Sequence, residues 1–207
     1  MNRVMSRVRC WLVLLGLLVL VGCPATPKID PLPSEGTILA FGDSITFGTG
    51  AAPEASYPAV LQQRSGDRVM NAGVPGETTA GGLARLPETL QQEQPSLVIL
   101  CLGGNDFLRR LDEKKTEENL RAMVSMIRER GISVVLIGVP KLGLGLEVPQ
   151  WYRTLAREAD IPYDNKTLKS VLSDHALKAD PIHPNAAGYQ QMAEAVLAVL
   201  KKSGAIR

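Results

Sequence analysis

The chain has 207 residues, of which 45% are hydrophobic and 21% are charged, and its formal net charge is +2. This length suffices for one domain with its own core, and the charge balance lacks the basic excess of a nucleic-acid-binding protein. Beyond residue 23 the only cysteine is Cys101, so an intramolecular disulfide and a cysteine zinc site are both excluded. We expect Cys101 to be a small core residue, and we expect no metal or cofactor.

Residues 1–22 have the pattern of a secretory signal peptide. A segment with three arginines and no acids precedes the apolar run Trp11–Val21, which is too short to span a bilayer comfortably. Loss of these arginines changes the net charge from +2 to about −1 in the mature chain. The run ends in Leu-Val-Gly-Cys at 20–23, which resembles the lipobox of bacterial lipoproteins. The resemblance implies that Cys23 is linked to a diacylglycerol and becomes the new N-terminus.

A lipid on Cys23 would tether the protein to a membrane surface without spanning the membrane. The alternatives are an ordinary signal peptide with an incidental cysteine and an uncleaved anchor. Pro24 stands where an aspartate signals inner-membrane retention in Gram-negative lipoproteins, so the resemblance favours the periplasm-facing outer membrane of a bacterial envelope. A Gram-positive surface would also fit. Residues 23–36 contain four prolines and are interpreted as a tether, and residues 37–204 as the single folded domain.

After the tether, short apolar runs alternate with helical patterns. The predicted strands are Thr37–Phe41, Arg68–Asn71, Ser96–Leu102, Ile132–Val139 and Ile161–Tyr163. The predicted helices are Tyr57–Gln63, Thr79–Glu93, Thr116–Arg130, Gln150–Ala159, Asn165–Ser173 and Asn185–Lys202. We expect Pro87 to restart the second helix and Thr116 to cap the third. Because several strands are apolar on both faces, the pattern predicts an α/β fold, a three-layer αβα sandwich around about five parallel strands.

Small and reactive residues follow the predicted strands. Ser44 comes directly after the first strand, Gly73 after the second, and Asn105 after the third. Asp180 and His183 precede the last helix. Ligands of open α/β sheets bind beyond the carboxyl ends of the strands, so we expect these loops to converge on one site.

The residue types in these loops suit acyl transfer. A serine hydroxyl is a poor nucleophile at neutral pH unless a base accepts its proton and a third group orients that base. The chain has two histidines, and His183 has a carboxylate, Asp180, three residues before it. We predict Ser44 as nucleophile, His183 as base and Asp180 as its orienting partner. The predicted oxyanion donors are the N–H groups of Ser44 and Gly73 and the side chain of Asn105.

The chain resembles the SGNH (GDSL-type) hydrolase superfamily in four blocks of residues. The blocks are Gly42-Asp43-Ser44, Gly73, Gly103-x-Asn105-Asp106 and Asp180-x-x-His183-Pro184. Residues 71–79 and 82–87 look most like the bacterial thioesterase I/protease I/lysophospholipase and arylesterase group. The resemblance implies a flavodoxin-like fold and the same catalytic and oxyanion residues. It also implies an acyl or aryl ester, acyl-CoA thioester or lysophospholipid as substrate.

Several alternatives stay open at this point. The superfamily includes carbohydrate O-acetylesterases, so an enzyme acting on envelope polysaccharide is one alternative, and a non-catalytic lipid- or glycan-binding lipoprotein is another. Ser44 taken alone could be a helix N-cap, whereas Asp43 is expected to brace the turn and His175 to lie on the surface. Lys141–Pro149 departs from the pattern of the thioesterases. Its three leucines either line an acyl groove or belong to the core, and they are Leu142, Leu144 and Leu146.

Overall fold

The computed structural model describes residues 26–143 and 145–206. The predicted signal peptide, the lipidation of Cys23 and the position of Leu144 lie outside these residues. Five parallel strands form one sheet in the order β2-β1-β3-β4-β5. The strands are β1 (Thr37–Gly42), β2 (Arg68–Gly73), β3 (Leu97–Cys101), β4 (Ser133–Ile137) and β5 (Tyr163–Asp164). The predicted α/β fold with a parallel sheet is confirmed.

Helices cover both faces of the sheet, as the apolar strands require. They are α1 (Ser44–Phe47), α2 (Tyr57–Ser65), α3 (Thr79–Glu93), α4 (Gly104–Leu108), α5 (Glu113–Glu129), α6 (Gln150–Glu158), α7 (Thr167–Ser173) and α8 (Ala186–Ser203). On one face α2 and α7 pack against α8, and on the other α3 and α6 pack against α5. Every residue of β1 and β3, including Cys101, is buried between these layers.

Two of the predicted helix boundaries are wrong. Helix α5 begins at Glu113, three residues before the predicted start, because Asp112 accepts hydrogen bonds from two N–H groups of the first turn. Thr116 is buried instead, and its hydroxyl donates to the carbonyl of Asp112. Pro87 lies inside an uninterrupted α3 and does not restart it.

The strand register brings three loops together at the carboxyl edge of the sheet. Gly42, the last residue of β1, lies opposite Gly73 of β2 on one side and opposite Cys101 of β3 on the other. The segments that follow these residues therefore begin side by side. Helix α8 starts at the same edge, where Tyr189 donates a hydrogen bond of 2.7 Å to the carbonyl of Thr49.

The opposite edge of the sheet holds the segment that precedes β1. The N–H of Ile29 donates to the carbonyl of Ser203 at 3.1 Å, and that of Leu32 donates to the carbonyl of Ala205 at 2.8 Å. Ser203 is the last residue of α8, and Ala205 lies just beyond it. The two side chains are half-buried against the core. We call residues 28–36 the N-terminal strap. Among the helices of the described chain, none combines the length and apolarity that a membrane crossing needs.

Candidate active site

The structure brings together three residues that lie far apart in the sequence. Nε2 of His183 lies 3.0 Å from Oγ of Ser44, and Nδ1 of His183 lies 2.7 Å from Oδ2 of Asp180. An ionised carboxylate has no proton to donate, so the hydrogen sits on Nδ1 and leaves Nε2 to accept from the serine. This is the arrangement in which an imidazole can take a proton from an alcohol.

Ser44 occupies the sharp turn between β1 and α1. The carboxylate of Asp43 accepts a hydrogen bond from the N–H of Ile45 at 3.0 Å and so caps this four-residue helix. Gly42 must be a glycine, because a Cβ there would lie 2.3 Å from the carbonyl oxygen of Cys101. Ser44 is the first residue of the helix, and the helix begins where buried β1 stops.

The loop before α8 orients His183. Lys178 and Pro184 form an isolated bridge that closes the loop. Oδ1 of Asp180 accepts from the N–H groups of Ile182 and His183, each at 2.8 Å, which leaves Oδ2 for the imidazole. Burial raises the pKa of Asp180, but the hydrogen bonds from His183 and from the two N–H groups outweigh burial and lower it. The carboxylate therefore stays ionised beside the imidazole.

Asp43 is the second carboxylate beside the nucleophile. It is only 2% exposed, and the amide of Asn105 approaches its Oδ2 at 3.4 Å. Burial raises the pKa of Asp43 to about 7; the Ile45 N–H and His183 lower it, and Glu77 and Asp106 raise it. Its position fits the expected brace of the turn, since its Oδ1 accepts from the Ile45 N–H, whereas Nδ1 of His183 contacts Asp180.

Asn105 comes from the loop after β3. Its Nδ2 donates to the backbone carbonyl of Glu77 at 2.9 Å, which joins the loop after β3 to the loop after β2. Asp106, the next residue, is buried and points away from Ser44. It accepts from the N–H and hydroxyl of Thr79 and from the hydroxyl of Thr116, so it ties α3 to α5.

The structure does not leave the N–H of Gly73 free to act as an oxyanion donor. Its N–H donates to Oδ1 of Asn71 at 2.9 Å, so the predicted oxyanion donor is already occupied. A Cβ at Gly73 would lie 2.1 Å from the backbone nitrogen of Phe47, so the close approach of α1 explains the glycine. The prediction for Gly73 conflicts with this geometry, because the side chain of Asn71 competes for the same N–H.

A second glycine in the same loop has a free donor. The N–H of Glu77 donates to Val74 at 3.1 Å, and Gly76 has φ of +80°, which with Pro75 before it is typical of a type II turn. Within the described residues, the N–H groups of Gly76 and Ser44 donate to no protein acceptor. The Pro-Gly pair was the sequence signal for this turn.

A cavity of about 210 Å³ opens beside Ser44 and His183. Its other walls combine the polar side chains of Asp43, Asn105 and Arg110 with apolar ones, which include Ile45, Phe107, Leu108, Val139, Leu142, Leu168, Leu172 and Ile182. Leu142 therefore lines the cavity, whereas Leu146 packs against the core. The large apolar side chains most exposed in the described chain lie in the loops and short helices that follow strands β1 to β4, and they are Phe47, Val74, Leu108, Leu111 and Leu142.

Other candidate residues lie outside the site. His175 is exposed in a short 3₁₀ turn and is not among the residues that line the cavity. Among residues 26–143 and 145–206, no three histidine, cysteine or acidic side chains group as metal ligands would.

The sequence pattern of the GDSL-like lipase/acylhydrolase family matches residues 40–191. The chain belongs to this family. Esterase TesA of Pseudomonas aeruginosa is 34% identical over 202 residues, which cover 89% of this chain and 97% of that protein. Thioesterase 1/protease 1/lysophospholipase L1 of Escherichia coli is 34% identical over 72% of this chain and 76% of its own length. A crystal structure of TesA superposes with a TM-score of 0.71 at 33% identity and covers 80% of this chain and 98% of that one.

Membership of the GDSL-like family confirms the resemblance to SGNH hydrolases. It makes the chain an enzyme, a serine hydrolase of esters, with the fold that the alternation of strands and helices predicted. The alternative of a non-catalytic binding protein is thereby disfavoured, because the family is catalytic and the hydrogen-bonded Ser44, His183 and Asp180 are all present.

Proposed function

We propose that the protein hydrolyses carboxylic esters and thioesters of apolar acyl groups through an acyl-serine intermediate on Ser44. The observation that carries the proposal is the continuous hydrogen-bonded chain from Ser44 through His183 to Asp180. Each of these three side chains makes a hydrogen bond that a catalytic role requires and a purely structural role does not. A helix cap alone would not require the imidazole of His183 at hydrogen-bond distance from Oγ.

The first half of the reaction forms the acyl-enzyme. Oγ of Ser44 attacks the carbonyl carbon while Nε2 of His183 takes the hydroxyl proton, and Asp180 balances the imidazolium. The carbonyl oxygen becomes an oxyanion that needs preorganised donors, each worth about 3–4 kcal/mol. We assign these to the N–H of Ser44, the N–H of Gly76 and the side-chain amide of Asn105, whose first N–H donates to Glu77 at 2.9 Å and whose second makes only the long contact of 3.4 Å to Asp43. Gly76 replaces Gly73 because its N–H is free.

The second half releases the acid. The acyl-enzyme is complete once the first oxyanion collapses, the ester or thioester bond breaks and His183 gives its proton to the departing alcohol or thiol; His183 then takes a proton from a water molecule that attacks the acyl carbon. The same donors stabilise the second oxyanion, whose collapse breaks the bond to Oγ and releases the acid while His183 returns its proton to Ser44. One imidazole thus serves as base and acid in both halves.

Substrate class follows from the walls of the cavity. The apolar side chains beside Ser44 can contact an acyl chain along its length, whereas a sugar would find polar partners for its hydroxyls only at Asp43, Asn105 and Arg110. The names of the relatives, an esterase and a thioesterase/lysophospholipase, support acyl or aryl esters, acyl-CoA thioesters and lysophospholipids as substrates here.

The test is hydrolysis of p-nitrophenyl esters from acetyl to dodecanoyl by wild type and Ser44→Ala. We expect kcat/KM to fall by about 1000-fold or more in the variant, since the nucleophile is lost. Ser125→Ala is the matched control, because that hydroxyl lies on α5 and donates only to Glu129. Full activity of Ser44→Ala would sink the mechanism. A rate confined to the acetyl ester would instead favour the O-acetylesterase alternative.

We also propose that Cys23 carries a lipid that anchors the enzyme to the bacterial envelope, facing the periplasm from the outer membrane. The apolar run that ends in Leu-Val-Gly-Cys supports this. Cells that express the full chain should incorporate radiolabelled palmitate, and Cys23→Ala should abolish the label while Cys101→Ala retains it. Equal labelling of the Cys23 variant, or none in wild type, contradicts the anchor. Separation of the inner and outer membranes on a density gradient then shows which membrane holds the protein.

A further inference from the structure

Arg85 and Glu77 form a two-pronged ion pair beside the active site. Nε of Arg85 donates to Oε1 of Glu77 and Nη2 donates to Oε2, both at 2.6 Å. The side chain of Glu77 is 7% exposed and that of Arg85 is 25% exposed, so water screens the pair little. Paired donors and acceptors of this kind fix orientation as well as distance.

The same guanidinium reaches the ends of two strands. Nη2 of Arg85 also donates to the carbonyl of Ala72 at 2.8 Å and to that of Gly42 at 3.3 Å. The guanidinium lies 3.9 Å from the centre of the Phe41 ring. Arg85 therefore contacts β1 two residues before Ser44, β2 just before its last residue, and the loop that follows β2.

One oxyanion donor, the N–H of Gly76, lies on the loop that this ion pair holds, and a second, the amide of Asn105, is hydrogen-bonded to that loop. Glu77 directly follows Gly76, and its backbone carbonyl accepts the hydrogen bond from Asn105. A shift of Glu77 would move both donors away from the carbonyl oxygen, while Ser44 would keep its bond to His183. Arg85 touches neither Ser44 nor the cavity, and no step of the proposed reaction uses it.

We propose that Arg85 is a positioning residue, which acts through Glu77 to hold the N–H of Gly76 and the amide of Asn105 where the oxyanion forms. A buried ion pair adds little net stability compared with apolar residues of similar volume. Its geometric effect is larger, because a misplacement of about 1 Å can lower a catalytic rate about 100-fold.

The experiment compares kcat, KM and stability for Arg85→Lys, Arg85→Met and the double variant Glu77→Leu/Arg85→Met. Arg85→Met leaves Glu77 unpaired and should destabilise the fold, whereas the double variant removes both charges and should recover stability. We expect kcat of the double variant to stay about 10- to 100-fold below wild type, with KM within about threefold. Arg85→Lys keeps the charge without the fork and should lie between wild type and Arg85→Met.

A fluorophosphonate probe gives a second reading, because its adduct on Ser44 also places an oxygen in the oxyanion site. Its rate of labelling should fall with kcat in the Arg85 variants. Arg121→Met is the matched control, since Arg121 makes a comparable paired contact with Glu117 and Glu158 between α5 and α6. We expect wild-type kcat and labelling there.

The inference rests on the proposed function, and the two can fail separately. If wild type hydrolyses no ester, or Ser44→Ala remains active, the proposed function fails. If hydrolysis depends on Ser44 but the folded double variant has wild-type kcat, Arg85 only stabilises the fold and the positioning proposal is overturned. A rise in KM with unchanged kcat would overturn it as well, because the effect would then fall on substrate binding.

Discussion

Asp43 is a buried carboxylate that the catalytic chain does not use. Its raised pKa of about 7 means that the folded protein keeps a proton that the unfolded chain releases near pH 4. Between these values the folded state binds more protons, so the contribution of Asp43 to stability decreases as pH rises. Asp180 has the opposite effect. Its lowered pKa stabilises the folded state at neutral pH, and this stabilisation is lost as the pH falls below the ordinary pKa of an aspartate.

We therefore predict that Asp43→Asn is relatively more stable, compared with wild type, at pH 8 than at pH 5. The amide keeps the acceptor for the Ile45 N–H but has no charge to desolvate. Urea unfolding of both proteins at the two pH values measures the difference. If the difference in unfolding free energy between the two proteins is the same at pH 5 and at pH 8, burial does not raise the pKa of Asp43.

Gly73 and Gly76 illustrate how far the sequence can assign single groups. Gly73 ends β2 and Gly76 lies in the turn that follows it, and either could bring a backbone N–H close to an oxyanion. Which N–H is free depends on the side chain of Asn71, and that rotamer is a tertiary contact. Ser44, His183 and Asp180 were easier to assign, because the chain has two histidines and one of them has an acid three residues before it.

Elements with a burial pattern were predictable, and elements without one were not. β3 and β4 are apolar on both faces because helices cover both, which is visible as a continuous apolar run. Helices α1 and α4, with four and five residues, are too short to show a hydrophobic period. Both form in the turns by which the chain leaves the sheet. The inward face of α5 begins at Thr116, so periodicity alone missed the polar first turn that Asp112 caps.

At the scale of the molecule, the two ends of the described chain meet at one edge of the sheet, and Ser44, His183 and Asp180 meet at the other. The N-terminal strap crosses the amino edge, where Lys28 and Ile29 lie near Ser133 and Ile161 at the starts of β4 and β5. Ser44 lies at the carboxyl edge. The strap therefore contributes packing at a distance from the chemistry, and its energetic effect should be separable from catalysis.

We predict that Ile29→Ala/Leu32→Ala lowers the free energy of unfolding by about 2 kcal/mol, because two half-buried apolar side chains lose part of their buried area. kcat and KM for a p-nitrophenyl ester should equal those of wild type, since β1 and the loops after it keep their contacts. Ser34→Ala, an exposed position of the same strap, is the control and should leave stability unchanged. Unfolding curves that coincide for the double variant and wild type would mean that the strap is detached in solution. A changed kcat would instead mean that the two edges of the sheet are coupled.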